Sequence, residues 1–410
     1  MIAAVLAVAL GVAAVPGTAQ ATEQAPSASA EIPLPKDDPF YLPPDGYESS
    51  PNGTVLRSRQ VAAVYLAFQL PVKAHQVLYK SIDSHDKPVA EAATVLIPDV
   101  PWTGAGERPL ISYQLAVDSL STRCQPSYTL QVGLKAPTPA STYEVSLSLP
   151  ALLKGYAVVY SDYLGPNSDF IAGPQSAHAI LDGIRAVQHH APTGLTPRGK
   201  VALSGYSGGG IATTWAAEQQ KSYAPELNVV GAAAGGVPAD LKEMFNHNNG
   251  NLGSGLLILG IIGLARAFPE AGVQAILNDK GRKLFADNND ACTLDVALFH
   301  PFERIESYTT VPNVTESPQA KFLFDTNNAG QRTPGMPFYN YQGLADEFVP
   351  VGPADRLLEK YCGAGGTVQK SRMPFAGHIV GEAVGADGAL KFLTDRFDGK
   401  PARNECGATA

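Results

Sequence analysis

The stretch from Val201 to Ala212 constrains this chain most tightly. An apolar, β-prone run enters a Gly-Tyr-Ser-Gly-Gly turn and leaves it as an Ala-rich helix. This is the pattern of a nucleophile elbow, in which Ser207 sits on a sharp strand-to-helix turn with its hydroxyl pushed above the sheet. Gly205 and Gly209 flank it two residues either side, with Tyr206 and Gly208 between, and their missing Cβ atoms let strand, turn and helix come close. The Gly208 N–H then lies at a helix N-terminus, where it can hold a developing oxyanion. The chemistry this predicts is acyl transfer from an ester, thioester or amide.

A pentapeptide of this kind carries little weight alone in a chain with 40 glycines, and its meaning depends on partners elsewhere. Two residues supply them. Asp346 lies in Gly-Leu-Ala-Asp-Glu-Phe-Val-Pro (343–350) and His378 in Phe-Ala-Gly-His-Ile (375–379). The order Ser, Asp, His is that of an α/β-hydrolase triad. Each would fall in a loop after a late strand, Pro337–Gln342 and Val368–Met373, the end of a sheet where catalytic loops gather. Glu347 is the alternative acid.

From about Pro71 onward, strand and helix signals alternate. Gln76–Lys80 and Ala93–Ile97 flank the polar turn Asp83–Asp86 as an opening hairpin. Leu110–Leu115, Gly155–Tyr160, Val201–Ser204 and Val229–Ala234 read as further strands, and Ser176–Val187 as a helix with Ile180, Ile184 and Val187 on one face. The expected fold is therefore a mostly parallel central sheet with helices on both faces. The alternation lapses after Pro238, which predicts an inserted, mainly helical cap or lid. The expected layout is a signal peptide at 1–21, a disordered linker at 22–35, core at 36–239, cap at 240–320 and core again at 321–410. Within the cap, Gly255–Ala265 is almost wholly apolar and too short for a membrane span. It reads both as a wall for an acyl tunnel and as a helix buried between cap and core.

The N-terminal run Ile2–Val15 followed by Ala19-Gln-Ala21 reads as a secretory signal peptide, though without a basic n-region; an N-terminal anchor is the alternative. Four cysteines, Cys124, Cys292, Cys362 and Cys406, fit two disulfides in an exported chain; three pairings are open, with Cys362 to Cys406 a local staple. No C-x-x-C pair is present, and the His189-His190 pair reads as a solvated helix end, so neither metal nor cofactor is expected. A net charge of −8 without a Lys/Arg run argues against nucleic acid or anionic membranes as partners. The expected partner is a neutral, lipophilic ester, with transient lipid-interface contact through the cap and a monomeric chain.

At this point the sequence resembles the secreted lipases typified by fungal lipase A, found in fungi and actinobacteria. The likeness runs from about 35 to 407. It is carried by Asp38–Pro44, Leu56–Arg59, Asp118-Ser, Cys124–Tyr128, Phe170–Gly173, Ala179–Arg185, the elbow, Ser222–Asn228, Asp346–Pro350 and the His378 loop. The resemblance implies that Ser207, Asp346 and His378 form the triad and that Asp118 joins the Gly208 N–H in the oxyanion hole. It also implies the pairs Cys124–Cys292 and Cys362–Cys406, and a lid over a long acyl tunnel at 240–320. The match is loose inside the cap, so chain-length preference does not carry over. An ionised Asp118 would repel an oxyanion, so it is expected to be neutral in the working enzyme; an Asp paired with Arg123, or capping the next helix, is the plainer reading. Taken together these features predict a secreted serine lipase or carboxylesterase for lipophilic esters. The alternatives are an acyltransferase using the same acyl-enzyme, a short-chain carboxylesterase, or a non-catalytic binding protein on the same scaffold.

Overall fold

The computed structural model describes residues 31–407. The expected signal peptide, and the linker as far as residue 30, lie outside the described residues. In chain order the first elements are β1 (Val55–Val61), a short ribbon of β2 (Val64–Tyr65) and β3 (Phe68–Gln69), β4 (Val72–Ile82), β5 (Pro88–Pro98) and β6 (Leu110–Gln114). There follow α1 (Pro126–Val132), α2 (Pro139–Leu153), β7 (Ala157–Ser161), α3 (Gly173–His189), β8 (Val201–Tyr206), α4 (Ser207–Tyr223) and β9 (Val229–Gly235). Five helices come next: α5 (Leu241–Asn248), α6 (Ser254–Ala267), α7 (Asp279–Asn288), α8 (Thr293–Ala297) and α9 (Pro318–Asn327). The chain ends with β10 (Phe338–Gly343), α10 (Val351–Gly363), β11 (Val368–Met373) and α11 (His378–Phe397).

Nine strands form one sheet in the order β1-β4-β5-β7-β6-β8-β9-β10-β11. β1, β4, β5 and β7 pair antiparallel; from β7 across to β11 every pairing is parallel. The β4–β5 hairpin closes because the Asp83 carboxylate accepts the backbone N–H groups of His85 and Lys87, a side chain imitating a turn. In the middle, β6, β7 and β8 are buried at every residue, which is why they read as mainly apolar runs without a polar alternate face. α3 and α4 pack together on one side of the sheet, α2 and α11 on the other. The fold is that of an α/β-hydrolase.

β1 was not among the expected strands. It carries Arg57 and Arg59 on an edge, and charged edges hide the alternation that marks a strand while discouraging further pairing.

The helical stretch between β9 and β10 also runs past the expected boundary at 320. Ser317 caps a fresh helix by accepting the Ala320 N–H (3.2 Å) and Pro318 takes its first turn, so α9 continues to Asn327. Within this stretch α6 is held at two bare points. A Cβ on Gly255 would lie 2.8 Å from the Ala297 Cα in α8, and one on Gly263 would lie 2.6 Å from the Phe170 carbonyl oxygen. The apolar helix therefore beds tightly against both the helical stretch and the core. Disulfides join Cys124 to Cys292 and Cys362 to Cys406.

Candidate active site

The turn from β8 into α4 is built from close approaches that only glycine permits. A Cβ on Gly205 would stand 2.4 Å from the Gly209 carbonyl oxygen, on Gly208 1.8 Å from Asp118 Oδ1, on Gly209 1.9 Å from the Gln114 carbonyl oxygen and on Gly210 2.3 Å from that of Gly235. With the backbone held this close on all sides, Ser207 takes φ 55°, a left-handed conformation unusual for a serine. The strain points Oγ out of the turn.

His378 opens α11, at the C-terminal end of the sheet. Its Nε2 lies 2.8 Å from Ser207 Oγ and its Nδ1 2.8 Å from Asp346 Oδ2. Because an ionised carboxylate only accepts, Nδ1 carries the proton and Nε2 faces the hydroxyl with its lone pair. The ring is kept in place by Tyr206 on one side (centroids 5.0 Å) and the edge-on Phe348 ring (5.6 Å), while the Tyr206 hydroxyl donates to the His378 carbonyl oxygen at 2.9 Å.

Asp346 follows β10, and its Oδ1 accepts the N–H groups of Phe348 (3.0 Å) and Val349 (2.8 Å). These bonds leave Oδ2 aimed at the imidazole. The neighbouring Glu347 serves the backbone instead, its Oε2 accepting the N–H of His378 at 2.8 Å, at the start of α11. Of the two adjacent acids, only Asp346 meets the ring.

Asp118 follows β6 in a left-handed conformation (φ 42°). Its Oδ1, buried against Gly208, has no hydrogen-bond partner. Burial pushes its carboxyl up to about 6, against the downward pull of the nearby His378. The plainer reading fails here on both counts: Arg123 pairs with Asp295 at 2.9 Å, and the next helices start at Ser121 and Gln125 without a side-chain cap from Asp118.

The Asp118 loop is held on three sides. The Ala116 N–H is accepted by both carboxylate oxygens of Glu144 (3.0 and 2.8 Å), the Tyr163 hydroxyl donates to the Leu115 carbonyl (2.6 Å), and the Thr293 hydroxyl is shared between the carbonyls of Val117 (2.9 Å) and Asp118 (3.0 Å). Thr293 adjoins Cys292, so the Cys124–Cys292 bridge and this hydroxyl fasten the same loop to α8.

Sequence reading missed two carboxyls here, Glu144 and Glu382. Both are buried; desolvation raises each, and for Glu144 the charge of Glu382 raises it further. Glu382 stands one turn beyond His378 on α11, a spacing that signals a shared face. Nothing in the sequence around Glu144 points to the site.

Ser207 and Gly208 open onto an apolar cavity whose wall includes Leu256, Leu257, Gly260 and Ile261 of α6, together with Ile171 and Phe348. A second apolar cavity lies deeper in the helical stretch, and Phe245, Ile261, Leu264 and Phe324 border both. The apolar segment at 255–265 is thus both a buried helix and a cavity wall.

A family model described as secretory lipase matches residues 130–405. Lipase A of Moesziomyces aphidis is 34% identical over 394 residues, covering 92% of this chain and 83% of that protein. A protein of Mycobacterium tuberculosis described as a probable inactive lipase is 35% identical over 373 residues, 90% of this chain and 83% of that protein. Among solved structures, Candida antarctica lipase A superposes with a TM-score of 0.84 at 32% identity, covering 92% of this chain and 90% of the other.

Proposed function

The chain belongs to the secretory lipase family, and on that premise we propose that it is a secreted hydrolase of lipophilic carboxylic esters, triacylglycerols or similar, working through an acyl-enzyme on Ser207. The observation that carries this reading is the line Asp346–His378–Ser207, with both bonds at 2.8 Å, opening onto an apolar cavity.

His378 Nε2 takes the hydroxyl proton as Ser207 Oγ attacks the ester carbonyl, and Asp346 stabilises the imidazolium that results. The carbonyl oxygen becomes an oxyanion between the Gly208 N–H and Asp118. Only a neutral Asp118 can donate to it, and two features support that state: the unpartnered Oδ1, and the burial that raises the carboxyl to about 6. Negative charge growing beside it would hold the proton more firmly still. His378 returns its proton to the leaving alcohol, and water, activated by the same imidazole, then frees the acid. A positioned donor of this kind is worth about 3 kcal/mol of transition-state stabilisation. Two disulfides accord with an oxidising, extracellular location.

The test is hydrolysis of p-nitrophenyl esters from acetyl to palmitoyl, with a triacylglycerol emulsion and a Ser207→Ala control. We expect turnover to rise toward long chains and to fall roughly 10⁵- to 10⁶-fold in the variant. Turnover confined to short chains would make the protein a short-chain carboxylesterase. No Ser207-dependent turnover on any ester would end the hydrolase reading.

A further inference from the structure

We propose that Arg266, in the last turn of α6, is a positioning residue that holds the Asp118 loop and the 167–171 loop in the strained shapes the active site needs. The role given to it rests on the ester-hydrolase reading above.

The first observation is where its hydrogen bonds go. Nη1 donates to the carbonyl oxygens of Leu120 (3.1 Å), Ser168 (3.2 Å) and Asn167, and Nη2 to the backbone carbonyl (2.7 Å) and side-chain oxygen (3.0 Å) of Asn289. All five acceptors are uncharged, whereas a guanidinium makes its strongest bonds to carboxylates and phosphates. The planar fork serves instead to join three separate segments of backbone. Leu120 stands two residues past Asp118, Asn167 and Ser168 precede α3, and Asn289 closes α7. Leu120 is gripped from its other side as well, its N–H donating to the Ala291 carbonyl (2.8 Å). Arg266 itself lines neither apolar cavity, so it acts on the loops rather than on an acyl group.

The second observation is strain in both loops. Asp118 sits at φ 42°, Ser168 at φ 54° and Ile171 at φ 65°. The left-handed region is unfavourable for residues with a side chain, most of all for a β-branched isoleucine. Such backbones persist only where surrounding contacts over-determine them, and they gather at functional sites. Asp118 and Ile171 both line the cavity that Ser207 opens onto. α6 presses the second loop at another point, since a Cβ on Gly263, three residues before Arg266, would stand 2.6 Å from the Phe170 carbonyl oxygen and 2.7 Å from its nitrogen. The Gln125 amide adds a tie, donating to the Gly165 carbonyl at 2.8 Å. Arg266 is bonded to both loops at once.

The consequence is a shared register. With the guanidinium in place, Asp118 and Ile171 are held at fixed positions against Ser207. Without it, both loops can relax toward ordinary backbone and draw the oxyanion donor out of line. A displacement of about 1 Å is enough to cost on the order of a hundredfold in rate.

The test uses the full disulfide-bonded chain carrying Arg266→Gln, with Arg266→Lys as a second variant that keeps the charge and loses the fork. On p-nitrophenyl acetate, whose acyl group is too short to use the cavity wall, we expect kcat to fall about a hundredfold in Arg266→Gln and roughly tenfold in Arg266→Lys, with KM changed by no more than about threefold. The comparison is then repeated in an Asp118→Gly background, where glycine deletes the donor and accepts the left-handed backbone. There Arg266→Gln should cost no more than about threefold, because the group it positions is gone. Equal losses in the two backgrounds overturn the proposal. So does a lowered Tm with unchanged kcat per Ser207 site, counted by phosphonate titration. Amide hydrogen exchange read by mass spectrometry needs no turnover: Arg266→Gln should speed exchange roughly tenfold or more at 118–121 and 167–171 while β8 and β10 keep their protection. Unchanged exchange in those loops overturns the proposal. If Arg266→Gln does not fold, Arg266→Lys carries the same comparisons. If the parent chain hydrolyses no ester yet exchange rises as expected, the loop clamp stands and the hydrolase reading fails.

Discussion

The C-terminal ends of the strands and the helical stretch between β9 and β10 face each other across one cavity, and they are built on different principles. At the strand ends, backbone atoms set nearly every position: amide groups hold Asp346, a carboxylate holds the His378 amide, and glycine contacts fix the turn at Ser207. In the helical stretch the wall is made of side chains such as Leu256, Leu257 and Ile261, any of which another apolar residue can replace at modest cost. The difference teaches that reaction and selectivity are separable in this molecule. On the function proposed above, the core sets what bond is broken and the helical stretch sets whose.

The largest effect should come from the core. Asp346→Asn leaves the shape intact but presents the wrong hydrogen-bonding pattern to Nδ1, and kcat should fall about 10⁴-fold. Glu347→Gln, which touches only a backbone amide, should cost roughly tenfold or less. Equal losses, measured by steady-state kinetics on one ester, would break the distinction drawn between the two acids.

A change in the helical stretch should act on substrate choice instead. Ile261→Trp places bulk where the two cavities meet, and kcat/KM for the palmitoyl ester should drop about tenfold or more while the acetyl ester changes by no more than about twofold. If both esters suffered alike, the helical stretch would belong to the catalytic machinery and the comparison would lose its meaning.

The smallest effect sharpens the core side. Asp118 donates only when neutral, and with its carboxyl raised to about 6 that form is present below this pH and lost as pH rises through it. The native enzyme should therefore lose kcat/KM from this group on the alkaline side, whereas the D118N protein, which donates at every pH, should show a flatter limb above pH 7 while keeping activity within roughly tenfold near pH 5. An identical alkaline limb in both proteins would remove Asp118 from the oxyanion site.

How much of this was legible in the sequence follows the same divide. The elbow was readable because its glycines answer a local steric demand, and β6, β7 and β8 because a sheet covered on both faces leaves long apolar runs. The hairpin announced itself through Asp83. β1 was hidden by its arginines, and the continuation of the helical stretch to Asn327 turned on a single cap at Ser317. Asp118 was placed at the site by resemblance; its left-handed backbone and unpartnered oxygen depend on a three-dimensional contact with Gly208 that no spacing encodes. Glu144, far from the motifs, gave no signal at all, because its partner is the backbone of Ala116 rather than a residue type.

The three glycines that open α4 also set limits on engineering. At 208, 209 and 210 the space a first side-chain carbon would occupy is already taken by Asp118, Gln114 and Gly235. Randomising the codons at 209 and 210, where backbone carbonyls block the space, should return almost only the parent sequence, whereas at 208 the obstacle is the Asp118 side chain. Diversity sought for new acyl groups is better placed in α6, leaving the first turn of α4 as a fixed chassis across every variant made from this scaffold.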